Sequence, residues 1–269
     1  MAWEFNLVAK EIPKLNSPIL IEGLPGIGNV GKIAADFMID NLGAVKLYDI
    51  FSYDLPNSVF VNEDSIVELP TIEIYFKRIK GGKHDLVILT GDVQPSEDRS
   101  CYEFSDKLVD VAKSLGVVEI ITLGGIGLPE VPAVPRVFCT GNNKKAIDEF
   151  VKGTPVNKEL YNVIGPIIGV TGIVLGLAER KGVPAICLLA ETFGHPLYVG
   201  VRGGREVLSI LNKKLSIGVK LKDLDAEIKE MESEGILPET KVKGKKAASL
   251  KKVRSLNEAK TKKETSYIG

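Results

Sequence analysis

Cysteine, histidine, methionine and tryptophan are all scarce in this chain, at 3, 2, 3 and 1 among 269 residues. Each scarcity closes a class of function. Cys101, Cys139 and Cys187 are odd in number, far apart and set among small or apolar neighbours. They make neither a disulfide framework nor a Cys-x-x-Cys site, and a reducing compartment is expected. His84 and His195 stand alone, so no His/Cys cluster has metal-ligand spacing, and neither a metal nor a cofactor is expected. A Gly-x-Ser-x-Gly nucleophile elbow is missing as well. The longest apolar run, Val163 to Leu177, is shorter than the ~20 residues that span a bilayer and is broken by glycines and Pro166. The opening MAWEFNLVAKEIPK has no basic stretch leading into an apolar one, so no signal peptide and a cytoplasmic location are expected.

Net charge is missing too, with 35 Lys/Arg against 35 Asp/Glu, which argues against a chain that coats nucleic acid over its whole surface. The balance hides an asymmetry. From Pro238 onward ten Lys/Arg stand against three Glu, 10 − 3 = +7, so the residues before it sum to −7. That final stretch is too poor in apolar residues to bury a core and is expected to be disordered.

What is present is a hydrophobic fraction of 44%, ample for a sizeable core. Uninterrupted apolar runs (Ile19 to Ile21, Leu86 to Leu89, Val117 to Leu123, Pro184 to Leu189) alternate with helical patterns over Val30 to Leu42, Ser96 to Leu115, Thr171 to Lys181 and Gly204 to Leu215. Strands without polar alternation are buried on both faces, so the pattern predicts an α/β fold, a mostly parallel sheet with helices on both faces. Segments 58–62 and 66–76 read as extended, decorating that sheet as a hairpin. Residues 1–218 are expected to form the α/β domain. Residues 219–235 are expected to form an amphipathic helix whose stripe, Leu221, Leu224, Ile228 and Met231, packs either at home or between subunits of an oligomer. Residues 236–269 form the Lys-rich tail.

Two motifs overlap in the loop after the first apolar strand. Gly26-Ile27-Gly28-Asn29-Val30-Gly31 satisfies the dinucleotide fingerprint Gly-x-Gly-x-x-Gly, with Asp49 placed as a ribose-binding acid, but Gly23-Leu24-Pro25 makes the loop two or three residues too long. Gly26 to Lys32 also fits the start of a phosphate-binding loop, yet Ile33 stands where a magnesium-holding Ser or Thr belongs. The reading favoured here is structural: Gly23, Gly26, Gly28 and Gly31 permit a tight turn and close helix packing, and Lys32→Ala is expected to be nearly neutral. Asp92, Glu97, Asp98 and Glu191 follow strand ends, where an α/β sheet places ligands, but helix-terminal acids are the plainer account.

The loop Gly23 to Gly31, together with Gly91-Asp92-Val93-Gln94-Pro95, Leu123 to Gly127, Gly165 to Gly172 and Glu191 to Pro196, resembles the PAC2 family of proteasome assembly chaperones and their archaeal homologues. The resemblance covers roughly residues 5 to 215. It implies a fold similar to that of purine nucleoside phosphorylases without a catalytic centre, so no enzyme. It also implies ATP-independent binding to proteasome α subunits and a C-terminal hydrophobic-Tyr-any tripeptide that enters pockets between them. Here Tyr267, Ile268 and Gly269 come last, with Tyr third from the end instead of second, so the match is partial. A flexible arm of about thirty residues reaches on the order of 30 Å, and an oligomer would multiply its tip. The alternative is a nucleotide- or nucleoside-binding enzyme that uses the loop at Gly26 to Gly31.

Overall fold

Leu86–Gly91 is buried at every position, as are Ile19–Gly23 and all but the last residue of Ala185–Phe193. Only a strand flanked by strands and covered on both faces tolerates such composition. The computed structural model describes residues 3–157 and 165–233, and the tail expected over 236–269, with Tyr267, Ile268 and Gly269, lies outside them. In chain order the elements are β1 (Glu4–Leu7), β2 (Ile19–Gly23), a 3-10 turn (Ile27–Asn29), α1 (Val30–Leu42), β3 (Val45–Phe51), β4 (Phe60–Val61), β5 (Val67–Glu68), β6 (Ile72–Lys77) and β7 (Leu86–Gly91). There follow α2 (Asp98–Ser114), β8 (Glu119–Leu128), β9 (Val137–Gly141), α3 (Lys144–Val151), α4 (Val170–Arg180), β10 (Ala185–Phe193), α5 (Val201–Leu215) and α6 (Leu221–Ser233).

The described residues divide into two compact units, one of residues 3–57 and 70–219 and the other of residues 58–69 and 220–233. In the larger unit eight strands form one sheet in the order β1-β3-β6-β7-β2-β8-β10-β9. The centre, β7-β2-β8-β10, is parallel throughout. β6, β3 and β1 extend it antiparallel on one side and β9 on the other. The sheet therefore has a parallel four-stranded centre, with antiparallel margins that apolar content alone does not announce.

Side chains alternate across the sheet and sort into two layers. Leu20, Val87, Leu89, Ile120, Cys187 and Leu189 share one core with Phe104 and Leu108 of α2 and Val174 and Ala178 of α4. Trp3 closes that core edge-on to Phe104, with ring centroids 4.8 Å apart. On the other face α1 lies over β2, β7 and β8 and packs against α5, which covers β10 and β9. Helix α1 stops at Gly43, whose left-handed φ of 58° lets its amide reach back to Asp40 and Ile39 carbonyls.

The smaller unit contains the β4–β5 hairpin, paired Phe60↔Glu68 and Val61↔Val67. Its turn is tied by the Asn62 carboxamide oxygen, which accepts the Asp64 and Ile66 amides, each at 3.0 Å. It also contains α6. Of the expected stripe, Leu224 and Ile228 are buried within the single chain, whereas Leu221 and Met231 are half-buried.

Candidate functional site

The five motif segments meet at one place, the edge where the parallel strands end. Their junctions are hydrogen bonds. Gln94 donates from Nε2 to the Pro25 carbonyl at 2.8 Å, and its Oε1 accepts the Val170 amide at 3.2 Å, so one side chain joins the glycine loop to the start of α4. The Gly200 amide donates to the Gly28 carbonyl at 2.7 Å, and the Gly194 amide to the Leu128 carbonyl at 2.8 Å. Thr122 Oγ1 donates to the Thr171 carbonyl at 3.0 Å. Gln94 is the only glutamine in the chain and stands in the segment Gly91 to Pro95 that carries part of the family resemblance.

The glycines close this edge. A Cβ on Gly31 would lie 2.5 Å from the Leu123 carbonyl oxygen, so α1 sits on β8 at a distance only glycine allows. Gly23 faces the Gly31 carbonyl from the strand beneath. Gly28 has a left-handed φ of 63°, and a Cβ there would lie 2.6 Å from Thr192 Oγ1. Gly26 alone has open space around it. At Gly23, Gly28 and Gly31 the side that a Cβ would occupy is filled by protein atoms, which is the close packing that requires glycine there.

Lys32 is committed elsewhere. Its Nζ lies 3.0 Å from Asp36 and 3.7 Å from Asp92, with its side chain 12% exposed. Asp36 in turn accepts the Thr90 hydroxyl at 2.6 Å, and Asp92 accepts the Thr71 amide and hydroxyl at 3.1 and 2.7 Å. This network pins α1 to β7 and to the chain entering β6, so the near-neutral Lys32→Ala expected above gives way to a structural role. The dinucleotide reading fails on topology: β3, which carries Asp49, is separated from β2 by β6 and β7, and Asp49 pairs with Lys46 at 3.1 Å. A ribose acid must end the strand beside the glycine loop.

The remaining acids are spent on structure or exposed. Glu191 takes the Arg136 guanidinium from Nε at 2.9 Å and the Arg136 amide at 2.8 Å, which fastens β10 to the approach of β9. Glu97 and Asp98 are exposed at the start of α2, with Glu97 in the cap position. Glu22 was not foreseen. It sits fully buried in the central strand, and its Oε1 accepts the Leu24 amide at 3.0 Å. Burial pushes its carboxyl up to about 7, against the opposing pull of the Leu24 amide, the Thr171 side chain and the Leu123 backbone.

Cys101, Cys139 and Cys187 are free and buried, and burial pushes the Cys187 thiol up to about 12, far from a reactive thiolate. His84 Nδ1 lies 2.8 Å from the Ser17 carbonyl, and His195 Nδ1 accepts the Leu197 amide at 3.2 Å. Among the described residues no group of three or more His, Cys, Asp or Glu could hold a metal, and no helix is long and apolar enough to cross a membrane. What the motif edge offers outward is aliphatic: Ile27, Ile168 and Leu197 are all more than half exposed.

The motif edge thus belongs to a mixed α/β domain whose glycine-rich strand ends pack against one another. A sequence model of the PAC2 family matches residues 20–235, and the chain belongs to that family. It is similar to PbaB of Pyrococcus furiosus, described as an archaeal proteasome activator, with a TM-score of 0.77 and 31% identity over 87% of this chain and 98% of that one. It is also similar to PbaA of the same organism, described as an archaeal homolog of proteasome-assembly chaperone, with a TM-score of 0.70 and 25% identity over 97% and 96% of the two chains. The uncharacterized protein MJ1210 of Methanocaldococcus jannaschii is 30% identical over 83% of both chains.

Proposed function

We propose that the protein is an ATP-independent chaperone or adaptor of the proteasome, acting in the cytoplasm as a homo-oligomer that binds proteasome α subunits. The observation that carries this reading is the likeness to PbaB and PbaA across nearly the whole of both chains. The engagement of Lys32 by Asp36 and Asp92 supports it against a nucleotide-binding enzyme at Gly26 to Gly31.

In this reading the folded body is a platform, and Tyr267, Ile268 and Gly269 supply part of the recognition. An aromatic anchor seated in a pocket commonly carries ~2 kcal/mol or more of an interface. Oligomerisation through the outer row of α6, where Leu221 and Met231 remain half-buried, would present several tails to one ring. Calorimetry of α-subunit binding by the full chain and by a chain lacking Tyr267 to Gly269 tests both parts. The expected result is binding by the full chain and a loss of roughly thirtyfold on truncation, the equivalent of ~2 kcal/mol. No binding by either chain would overturn the reading, and equal binding by both would transfer recognition to the body.

A further inference from the structure

One acid of the larger unit is buried without a counter-charge. Glu22 stands in the middle of the sheet, between Leu89 of β7 and Thr122 of β8, on the face that carries Leu20 and the core shared with α2 and α4. It is wholly buried. Its Oε1 accepts the Leu24 amide, while its Oε2 has no hydrogen-bond partner among the described residues. An ionised carboxylate in such a place needs more donors than one amide supplies, or water.

The groups that face it come from β8, α4, α2 and β10. Thr122 and the Leu123 backbone belong to β8, the Thr171 side chain to α4, the Cys101 thiol to α2 and the Cys187 thiol to β10. Burial pushes both thiols up, Cys187 to about 12, so neither is charged near neutrality. No lysine, arginine or histidine acts on the carboxyl. Once ionised, Glu22 can therefore be solvated only by water, and water must enter past one of its walls.

Those walls differ in how freely they move. β2 and β8 lie inside the parallel centre of the sheet, and α2 buries Ser100, Cys101, Phe104 and Ser105 along one side. The start of α4 is looser. It is entered through residues 165–169, of which Gly165, Pro166 and Ile168 are exposed, and Gly169 has a left-handed φ of 85°. Thr171, Gly172 and Ile173 are only half-buried, whereas Val174 one turn further is fully covered. Two side chains fasten this turn: Gln94, which accepts the Val170 amide, and Thr122, which donates to the Thr171 carbonyl.

We infer that Glu22 is a proton-operated latch on the start of α4: with the carboxyl protonated the first turn lies closed over it, and on ionisation that turn and residues 165–169 lift to admit water to the carboxylate. A carboxyl raised to about 7 puts the change near neutrality, closed below and open above. Ile168, 85% exposed, rides on the segment that moves, so the aliphatic surface of the motif edge has two settings. The latch needs no partner protein, which keeps its test separate from the proteasome reading.

Amide hydrogen exchange of the full chain between about pH 5.5 and 8.5, corrected for the intrinsic pH dependence, measures the opening. The Gly172 and Ile173 amides, which donate to the Gly169 carbonyl, report the first turn. The Lys181 and Val183 amides, which donate to the Leu177 and Ala178 carbonyls, report the far end of the same helix. As pH rises, the first turn is expected to lose at least tenfold more protection than the far end, with a midpoint that matches the titration of the Glu22 carboxyl followed by carbon NMR. Glu22→Gln keeps the size of the side chain and cannot ionise, so it is expected to hold the low-pH ratio throughout. Equal loss at both ends of α4 would mean that ionisation weakens the whole fold instead of lifting one turn, and would overturn the inference. So would a first-turn change that persists in Glu22→Gln or, in the wild type alone, a midpoint more than about one pH unit from that of the carboxyl.

Discussion

The strand-end edge of the larger unit and the hairpin of the smaller one invert the usual relation between motif and surface. The edge is rich in recognisable motifs, yet Gly23 and Gly31 lie against neighbouring backbone, Gly28 lies against Thr192, Lys32 is paired with Asp36 and Asp92, and Glu191 is paired with Arg136. The hairpin matches no motif and presents bare aliphatic side chains. Glycine has two uses, close approach to a ligand and close approach to protein, and both read alike in sequence. Only the atoms opposite each glycine tell them apart.

The contrast breaks first if Gly31 tolerates a side chain. Gly31→Val places atoms against the Leu123 carbonyl from a helix that cannot retreat without lifting off the sheet, and a loss of about 3 kcal/mol or more in denaturant unfolding is expected. A wild-type transition would mean that the loop is looser than its packing and has room for a ligand.

Glu22 comes next. A carboxyl raised to about 7 in the fold, against 4.5 as the ordinary value, binds its proton more tightly folded than unfolded. Its contribution is therefore fully present below pH 4.5 and declines as pH rises to 7, by up to ~1.4 kcal/mol per unit and roughly 3 kcal/mol in all. Chemical denaturation from pH 4.5 to 8 should show this decline in the wild type. Glu22→Gln should remove roughly half of it and be the more stable protein at pH 8. Some slope should remain, because burial and the nearby Glu149 also raise Glu119 to about 7. A wild-type slope retained in the variant would remove Glu22 from the effect.

Lys32→Ala should cost less, about 1–2 kcal/mol, because it strands the partly buried Asp36 and Asp92 while their hydroxyl and amide donors remain. Added ATP or NAD should leave the melting temperature of the wild type unmoved, and a nucleotide-dependent rise lost in the variant would revive a ligand role. The smallest effect belongs to Gly26→Ala. With open space around that position and an extended φ of −152°, the change should stay within about 0.5 kcal/mol. A large loss there would show that the loop is constrained in a way its surroundings do not explain.

The amino-acid sequence determined by itself what depends on local pattern. Unbroken apolar runs such as Leu86 to Leu89 required strands buried on both faces, Gly43 ended α1 because only a left-handed residue closes that turn, and five motifs in order marked the family. The distances between segments were decided by tertiary structure alone. That β6 and β7 lie between β2 and β3, so that Asp49 is nowhere near the glycine loop, follows from strand order, which periodicity does not encode. That Lys32 meets Asp92, that Gln94 bridges Pro25 to Val170, and that Glu22 is buried with a raised carboxyl follow from folding across dozens of residues. A side chain's chemistry is written in its type, but its charge state and its partners are set by what the rest of the chain brings against it.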